Sequence, residues 1–217
     1  MLKKTLYPKT RRIPENGPLV TVTEKMDGEN LTIFKLNGEV QFAQHNWIFS
    51  MDEMLSDDRS RISCYKGLKY WAKNHKEDLE RDLVEGSAIC GEWMRSTAKT
   101  YPAEVVEKDF YMFAKANIGE GPDGLMLTNI WWNRVLFKYP FANQVIPDYI
   151  GVVPLVDEGY INPSKEVLDA MYEQYTSKVG GRKVEGFVIC SANVIRKYLR
   201  MRNGKPVEYH EDWRKSA

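Results

Sequence analysis

The stretch of sequence that decides the fold is Glu24-Lys25-Met26-Asp27-Gly28-Glu29-Asn30, residues 24–30. It follows an apolar run, Leu19 to Thr23, that predicts a β-strand. The glycine at position 28 lets the backbone turn closely around a bound ligand. We therefore expect a strand and a turn that hold one lysine against a ligand, and this arrangement favours a nucleotide.

The chemistry of Lys25 sets a condition on the rest of the chain. A free lysine has a pKa near 10.4, so only about one in 2,500 is neutral at pH 7, a penalty of roughly 4.6 kcal/mol. Glu24 and Asp27 favour the charged form further. A nucleophilic Lys25 therefore needs burial, nearby cations or a divalent metal to lower its pKa, whereas a solvated turn lysine needs none of these.

Length and composition describe an ordinary globular chain. The 217 residues suffice for one large domain, with 43% apolar and 28% charged residues. The amino terminus leads into no apolar signal segment, and no run of about 18 apolar residues occurs. We expect a cytoplasmic protein, of phage or bacterial origin among the alternatives, that does not enter a membrane.

Cysteine and histidine usage argues against disulfides and against zinc. The cysteines are far apart and form no Cys-x-x-Cys pair, so we expect reduced thiols at Cys64, Cys90 and Cys190. No spacing suited to zinc occurs among His45, His75 and His210.

Charge is distributed unevenly although the net charge is only +1. Residues 1–12 carry +5, and residues 182–217 carry nine basic and four acidic side chains, again +5, which leaves −9 for residues 13–181. Two basic ends on an acidic middle could bind a polyanion such as nucleic acid. Charged tails that only keep the protein in solution would have the same pattern.

A hairpin is the clearest local prediction. Leu31 to Leu36 and Glu39 to Ala43 flank Asn37-Gly38, the pair typical of a type I′ turn. Together with Leu19 to Thr23, this hairpin predicts one antiparallel sheet around Lys25. Further strands are predicted at Ser87–Trp93, Phe110–Ala114, Val184–Cys190 and Ile195–Met201.

Two helices are predicted. The first runs from Lys66 to Leu83 and stops at Gly86. The second is capped by Asn162, with Pro163 at its first position. Its apolar face is expected to comprise Val167, Met171, Tyr175 and Val179. The segment Leu125 to Tyr139 fits either state, and the predicted class is an α+β domain with antiparallel sheets and helices.

Two strand ends carry a carboxylate beside a glycine. Gly91-Glu92 closes a strand at a point where the glycine permits close approach of a ligand. Glu185-Gly186 places a carboxylate in an apolar strand, where an unpaired charge costs several kcal/mol. A buried Glu185 therefore needs a cation.

Aromatic and basic side chains complete the pattern. Lys108 to Phe113 carries closely spaced aromatics, for most of which core packing is the expectation. Arg200 and Arg202 are predicted to share one strand face, where they would supply the cations that Lys25 and a triphosphate require. A solvated edge strand would have the same basic pattern.

Taken in order, these segments resemble the covalent nucleotidyltransferases, which include ATP-dependent DNA and RNA ligases and the mRNA capping guanylyltransferases. The closest resemblance is to RNA ligases of the T4 RNA ligase 2 type, whose motifs run Glu-Lys-x-x-Gly-x-Asn, Gly-Glu, Lys-Asp-Phe-Tyr-x-Phe, Glu-Gly and Lys-x-Lys. The resemblance implies a nucleotidyltransferase (ATP-grasp-like ligase) domain over residues 1–217, with antiparallel sheets flanked by helices.

The resemblance also implies a reaction. Lys25 would attack the α-phosphorus of ATP, expel pyrophosphate and form lysyl-AMP, with Mg²⁺ or Mn²⁺ as cofactor. The AMP would pass to an RNA 5′-phosphate, and a 3′-hydroxyl would displace it to seal the strand, as in nucleic-acid repair. Asp27 and Gly28 complete the nucleophile motif, and Asn30 matches an asparagine that serves the later steps.

The nucleotide contacts are implied residue by residue. Glu24 would hold the adenine edge, Glu92 the ribose hydroxyls, and Phe113 would stack on the base. Glu185 would bind or orient the metal. The phosphates would be contacted by Arg200 and Arg202.

Three departures from the family pattern occur, of which two, at His45 and Ala114, concern end sealing, while the arginines of the last motif keep its charge. His45 stands in the stretch where an arginine is usual, and it can replace part of that arginine's hydrogen bonding but not its permanent charge. Ala114 stands where an aspartate commonly follows the aromatic residue. Arginines replace the usual lysines in the last motif. Self-adenylylation is thus predicted more firmly than end joining.

Only 15 residues follow Arg202, so no carboxy-terminal OB-fold is expected. RNA ends or a nicked duplex would then be held by the basic ends, by an accessory protein, or by both. The alternatives are an ATP-dependent DNA ligase, a GTP-using capping-type guanylyltransferase, and a non-catalytic nucleic-acid-binding module on the same fold.

Overall fold

The computed structural model describes residues 20–44, 47–56, 65–95, 101, 105–122, 124–132, 134–161, 163–180, 184–191, 194–202 and 205–206. These residues fall into two compact units. Unit 1 contains the described residues within 28–97 and 108–152, and unit 2 contains those within 9–27, 98–107 and 153–217. A single domain over residues 1–217 stays a prediction.

The secondary structure mixes strands and short helices. The strands are β1 Val20–Glu24, β2 Glu29–Leu36, β3 Glu39–Gln44, β4 Trp47–Ser50, β5 Ser87–Trp93, β6 Phe110–Gly121, β7 Gly124–Trp131, β8 Ile150–Val152, β9 Leu155–Gly159, β10 Gly186–Ser191, β11 Val194–Leu199, β12 Met201–Arg202 and β13 Lys205–Pro206. The helices are α1 Met51–Ser56, α2 Leu68–Asn74, α3 Lys76–Asp82 and α4 Lys165–Gln174, with a 3-10 turn at Arg134–Leu136. The α+β class is confirmed. The segment Leu125 to Tyr139, for which the sequence fits either a helix or a strand, contains most of β7 and then the 3-10 turn.

Unit 1 is built on a seven-stranded sheet, in which six strands follow the order β4-β3-β2-β5-β6-β7 and the seventh, β8, pairs with β6. Its neighbouring strands are antiparallel except β6 and β8, which are parallel. One face buries large side chains together with those of α1, α2 and α3, and the other buries mostly small ones, including Ala43, Ala88 and Ala114.

The predicted hairpin is confirmed, but its expected partner is wrong. Asn37 and Gly38 have φ values of 56° and 80°, as a type I′ turn requires. The carboxylate of Glu85 accepts a hydrogen bond from the Gly38 amide at 3.1 Å. The hairpin pairs with β5, whereas β1 pairs with β9 and β10 in a separate sheet. Strand periodicity identifies strands but not which strands pair.

The long helix predicted over Lys66–Leu83 is also wrong in detail. It is two helices interrupted at His75, and α3 ends at Asp82, because the next residue, Leu83, is extended with ψ at 133°. The His75 ring stacks on Tyr149 with centroids 4.4 Å apart. The apolar spacing did not reveal the break because both short helices bury their apolar residues in one core, as Trp71 and Leu79 show.

Unit 2 contains the sheet β11-β10-β1-β9, which packs against α4. The side chain of Ser164 caps α4 by accepting from the Val167 amide at 3.4 Å, and Asn162, the predicted cap, lies outside the described residues. Leu168 and Tyr172 are buried, while Val167 is 37% exposed. The expected apolar face is therefore wrong by one position at its start, and α4 ends before Val179.

No helix in the described part of the chain is long and apolar enough to cross a membrane.

Candidate active site

Lys25 lies directly after β1 in unit 2. Its amide donates to the carbonyl of Gly186 at 2.9 Å, which continues the pairing of β1 with β10 by one residue. Its Nζ lies 2.5 Å from Oε2 of Glu185. The Lys25 side chain is 25% exposed, while that of Glu185 is only 8% exposed. The predicted nucleophile and one predicted carboxylate are therefore a direct ion pair.

The environment of Glu185 explains why this pair forms. Burial raises the pKa of Glu185 above its ordinary value, while the charge and hydrogen bond of Lys25 oppose that rise. The nearby charge of Asp27 also raises the pKa of Glu185. The expectation that a buried Glu185 needs a cation is confirmed, and the cation is Lys25 itself.

The glycine after Glu185 has a steric role. A Cβ at Gly186 would lie 1.9 Å from the carbonyl oxygen of Tyr198 on β11. The close approach of the two strands lets the Arg200 amide donate to the Glu185 carbonyl at 3.0 Å. Gly186 thus fixes the backbone that carries Glu185.

Glu24 lies on the buried side of β1. It is 1% exposed, and neither of its carboxylate oxygens has a hydrogen-bond partner among the described residues. Burial raises its pKa to about 7, and the nearby Ser177 and Lys178 offset only part of this effect. A buried carboxyl group without a partner is rare in proteins, and it lies next to the predicted nucleophile.

Arg200 does not lie where the strand pattern predicted. Its Nη1 lies 2.8 Å from Oδ1 of Asp169, its Nη2 lies 3.5 Å from Oε1 of Glu173, and its guanidinium lies over the ring of Tyr172. These partners belong to α4. Arg202 is in β12, and its side chain lies outside what the structure describes.

Lys197, which is not among the predicted site residues, lies near the ion pair. Lys197 is opposite Val188, which is opposite Thr23, so the three side chains share one face of the sheet. The charge of Lys197 lowers the pKa of Glu185. The sequence does contain a signal for Lys197: side chains alternate along β11, so Lys197 lies on the face opposite to that of its buried neighbour Tyr198.

Unit 1 brings two other predicted residues together. Asn30 on β2 is directly opposite Glu92 on β5. The Asn30 carbonyl accepts from the hydroxyl of Tyr65 at 2.6 Å. The side-chain oxygen of Asn30 is buried and has no hydrogen-bond partner in the described part of the chain.

Phe113 lies at an irregularity of β6. Cys90 pairs with Ala114 and Gly91 with Met112, so Phe113 is the extra residue of a β-bulge. Its ring stacks on Trp132, with centroids 5.4 Å apart and planes 5° apart. The bulge could not be read from the alternation of aromatic residues.

The expected reasons for two glycines are corrected. We predicted that Gly28 and Gly91 leave room for a ligand. A Cβ at Gly28 would lie 2.6 Å from the carbonyl oxygen of Trp93, and one at Gly91 would lie 2.4 Å from the Phe110 ring. In both cases a neighbouring segment of the same protein fills the space beside the glycine.

The family departures have different outcomes. Ala114 is fully buried on the face of the sheet that also buries Cys90 and Ala116, where small side chains pack. His45 lies outside the described residues, as do the whole basic end 1–12 and residues 207–217 of the basic end 182–217. Within the described part of the chain, no group of three His, Cys, Asp or Glu side chains could hold a metal.

A family model for RNA ligases matches residues 18–201, and the chain belongs to the RNA ligase family. Among solved structures it is similar to RNA ligase from Naegleria gruberi. A structure with ATP and Mn has 17% identity and a TM-score of 0.51, covering 85% of this chain and 50% of that one. A structure with AMP and Mn has 16% identity and a TM-score of 0.55, covering 92% and 57%.

At these identities the likeness shows the fold alone. The chain spans about half the length of the solved ligases that it matches, from 50% to 57%. No curated protein matches the chain significantly.

Proposed function

We propose that this chain is the nucleotidyltransferase domain of an ATP-dependent RNA ligase that acts through a covalent lysyl-AMP intermediate. The observation that carries the proposal is the ion pair of Lys25 and Glu185 at the end of β1. Membership of the RNA ligase family supports the reaction, and the solved ligases bound to ATP or AMP with Mn support the choice of nucleotide and metal.

The pair fits the first step of the reaction. Nζ of Lys25 forms a bond to the α-phosphorus of ATP as the bond to pyrophosphate breaks. The amine must lose a proton before or during this attack. Glu185 accepts a hydrogen bond from Nζ and so orients the amine, but its negative charge also favours the charged form of Lys25, and a metal at Glu185 would offset that charge.

The residues suit a metal that is held partly by the nucleotide. Mg²⁺ and Mn²⁺ prefer oxygen ligands, and Mg²⁺ usually binds one or two carboxylates together with substrate phosphates. Glu185 supplies such a carboxylate, which agrees with the lack of a three-residue cluster among the described side chains. A bound metal would neutralise charge on the phosphates during transfer.

The remaining contacts are proposed from the resemblance. Glu92 binds the ribose hydroxyls and Phe113 stacks on the base. Asn30, whose buried side-chain oxygen has no hydrogen-bond partner among the described residues, serves the transfer of AMP to the RNA 5′-phosphate. Sealing by a 3′-hydroxyl then releases AMP.

The experiment that tests the first step uses nucleotide labelled at the α-phosphate. Protein, magnesium and labelled ATP or GTP are incubated, denatured and separated, and retained label marks a covalent adduct. We expect label from ATP in the wild type and none in Lys25→Ala. The control is Lys73→Ala, since Lys73 is an exposed lysine on α2.

A second experiment separates sealing from adenylylation. The adenylylated protein is offered 5′-phosphorylated nicks in RNA and in DNA. Sealing of the RNA nick supports the ligase. An adduct with ATP but no sealing of any nick would limit the activity to adenylylation, and an adduct with GTP alone would support a guanylyltransferase.

A further inference from the structure

A stretch of unit 1 is basic and aromatic within the acidic middle of the chain. Residues 124–147 contain Arg134 and Lys138 but no acidic residue, although residues 13–181 carry −9 overall. The aromatic residues of this stretch are Trp131, Trp132, Phe137, Tyr139 and Phe141. The proposed nucleotide contacts use none of these residues, so their arrangement calls for a separate explanation.

Lys115 of β6 lies against two of these rings. It is directly opposite Trp131 on β7, and its Nζ lies 4.1 Å from the centroid of the Trp131 ring. The same Nζ lies 5.4 Å from the centroid of the Tyr139 ring, and Nζ of Lys138 lies 5.5 Å from that centroid. These four residues form what we call the aromatic-basic patch.

The two lysines of the patch are available to an anion. Within the described part of the chain, neither Lys115 nor Lys138 forms an ion pair with a carboxylate. Burial also lowers the pKa of Lys115, because water solvates its ammonium group incompletely. A bound phosphate would stabilise both charges, which the aromatic rings offset only in part.

The patch is held in place and reaches the surface. Phe137 and Phe141 are each 1% exposed, and they anchor the turn that carries Lys138 and Tyr139 in the core of unit 1. The Tyr139 amide donates to the Leu136 carbonyl at 3.1 Å within this turn. Lys138 is exposed, and Tyr139 is 45% exposed although it is a large aromatic residue.

Ammonium groups beside exposed aromatic rings suit one class of ligand in particular. Proteins that bind single-stranded nucleic acid combine cations, which contact the phosphates, with aromatic side chains on which unpaired bases stack. An acidic protein segment would satisfy the two lysines, whereas the exposed ring of Tyr139 favours a ligand that also carries bases.

We propose that the aromatic-basic patch binds a single-stranded segment of the RNA substrate, with Lys115 and Lys138 contacting its phosphates and Tyr139 stacking on a base. The inference rests on the proposed function, which makes RNA the substrate, and it adds a binding surface outside the nucleotide site. Trp132, the residue after Trp131, stacks on Phe113. RNA on the patch therefore lies at β7, the edge strand that leads to the proposed base-stacking residue.

Binding of RNA in the absence of ATP tests the inference without the ligation chemistry. Fluorescence anisotropy measures the Kd of the full chain for a labelled single-stranded RNA over a range of salt concentrations. Inorganic polyphosphate, which carries the charge but no bases, is the second ligand. The variants are Tyr139→Ala, Lys138→Ala and Lys138→Arg, and melting temperatures check that each one folds.

Two matched controls lie outside the patch. Tyr160→Ala removes a tyrosine of unit 2 that is 89% exposed, and Lys73→Ala removes an exposed lysine on α2. Both controls should bind RNA as the wild type does.

The two kinds of contact predict different losses. Stacking of one base contributes about tenfold to affinity, so Tyr139→Ala should weaken RNA binding about tenfold at every salt concentration and leave polyphosphate binding nearly unchanged. Each phosphate contact to a single strand contributes about 0.7 to the slope of log K against log salt. Lys138→Ala should reduce that slope by about 0.7 and weaken both ligands, whereas Lys138→Arg should keep the slope.

Three results would overturn the inference. The first is a wild type that does not bind the RNA. The second is RNA binding in Tyr139→Ala and Lys138→Ala that equals that of the wild type, which would leave the patch to a protein partner. The third is an equal loss of RNA and polyphosphate binding in Tyr139→Ala. The proposed function fails separately, if the patch variants lose RNA as expected but ATP leaves no adduct on Lys25.

Discussion

Replacing Glu24 by glutamine should change how the stability of the protein depends on pH. Burial raises the Glu24 pKa from 4.5 to about 7 in the folded protein. Between these values the folded state binds the proton more tightly than the unfolded state does. The stability contributed by this group is therefore full below about pH 4.5, falls as pH rises, and levels off above about pH 7.

The magnitude follows from the two pKa values. One pKa unit corresponds to about 1.4 kcal/mol, so the whole shift is worth about 3 kcal/mol, of which about 2.5 kcal/mol falls between pH 5 and pH 8. Glu24→Gln removes the titration but keeps the size of the side chain. The free energy of unfolding of the variant should therefore lose about 2.5 kcal/mol less than that of the wild type over this range.

Urea denaturation at constant ionic strength, at pH 5, 6, 7 and 8, measures this difference. The compared quantity is the change in unfolding free energy with pH. The constant cost of a buried amide at position 24 does not affect this change, and the titration of Glu185 is common to both proteins. Glu39→Gln, at the exposed first residue of β3, is the matched control. Parallel curves for the wild type and Glu24→Gln would refute the reasoning.

Two further substitution pairs test the packing. Gly186→Ala should destabilise the protein by about 2 kcal/mol or more, because its Cβ would overlap the Tyr198 carbonyl, whereas Gly159→Ala has open space and should change the free energy of unfolding by less than about 1 kcal/mol. Equal effects in urea denaturation would contradict the close approach of β10 and β11. Leu168→Ala should cost about 2 to 4 kcal/mol and Val167→Ala less than about 1 kcal/mol, since only Leu168 is buried. If Val167→Ala lowered the thermal stability more than Leu168→Ala, the helix face predicted from sequence would be correct instead.

Sequence patterns predicted local structure better than pairing. Asn37-Gly38 carries its own turn geometry, so the hairpin was predictable from two residues. Whether that hairpin joins β1 or β5 depends on contacts distant in sequence, which alternation does not encode. The parallel addition of β8 to β6 was unpredictable for the same reason.

Contacts in the site were predictable where the chemistry of one residue requires a particular partner. A carboxylate in an apolar strand requires a cation, and the structure pairs Glu185 with Lys25. Alternation did not predict the direction of Arg200, because the bend after β11 turns it toward Asp169 on α4.

The most direct test of the account is the site of covalent labelling. After reaction with ATP and magnesium, the protein is digested and the mass of each lysine-containing peptide is measured. The account predicts one added AMP on the peptide that contains Lys25, lost in Lys25→Ala and retained in Lys73→Ala. An unmodified Lys25 under varied magnesium and manganese concentrations, or AMP on a different lysine, would contradict it.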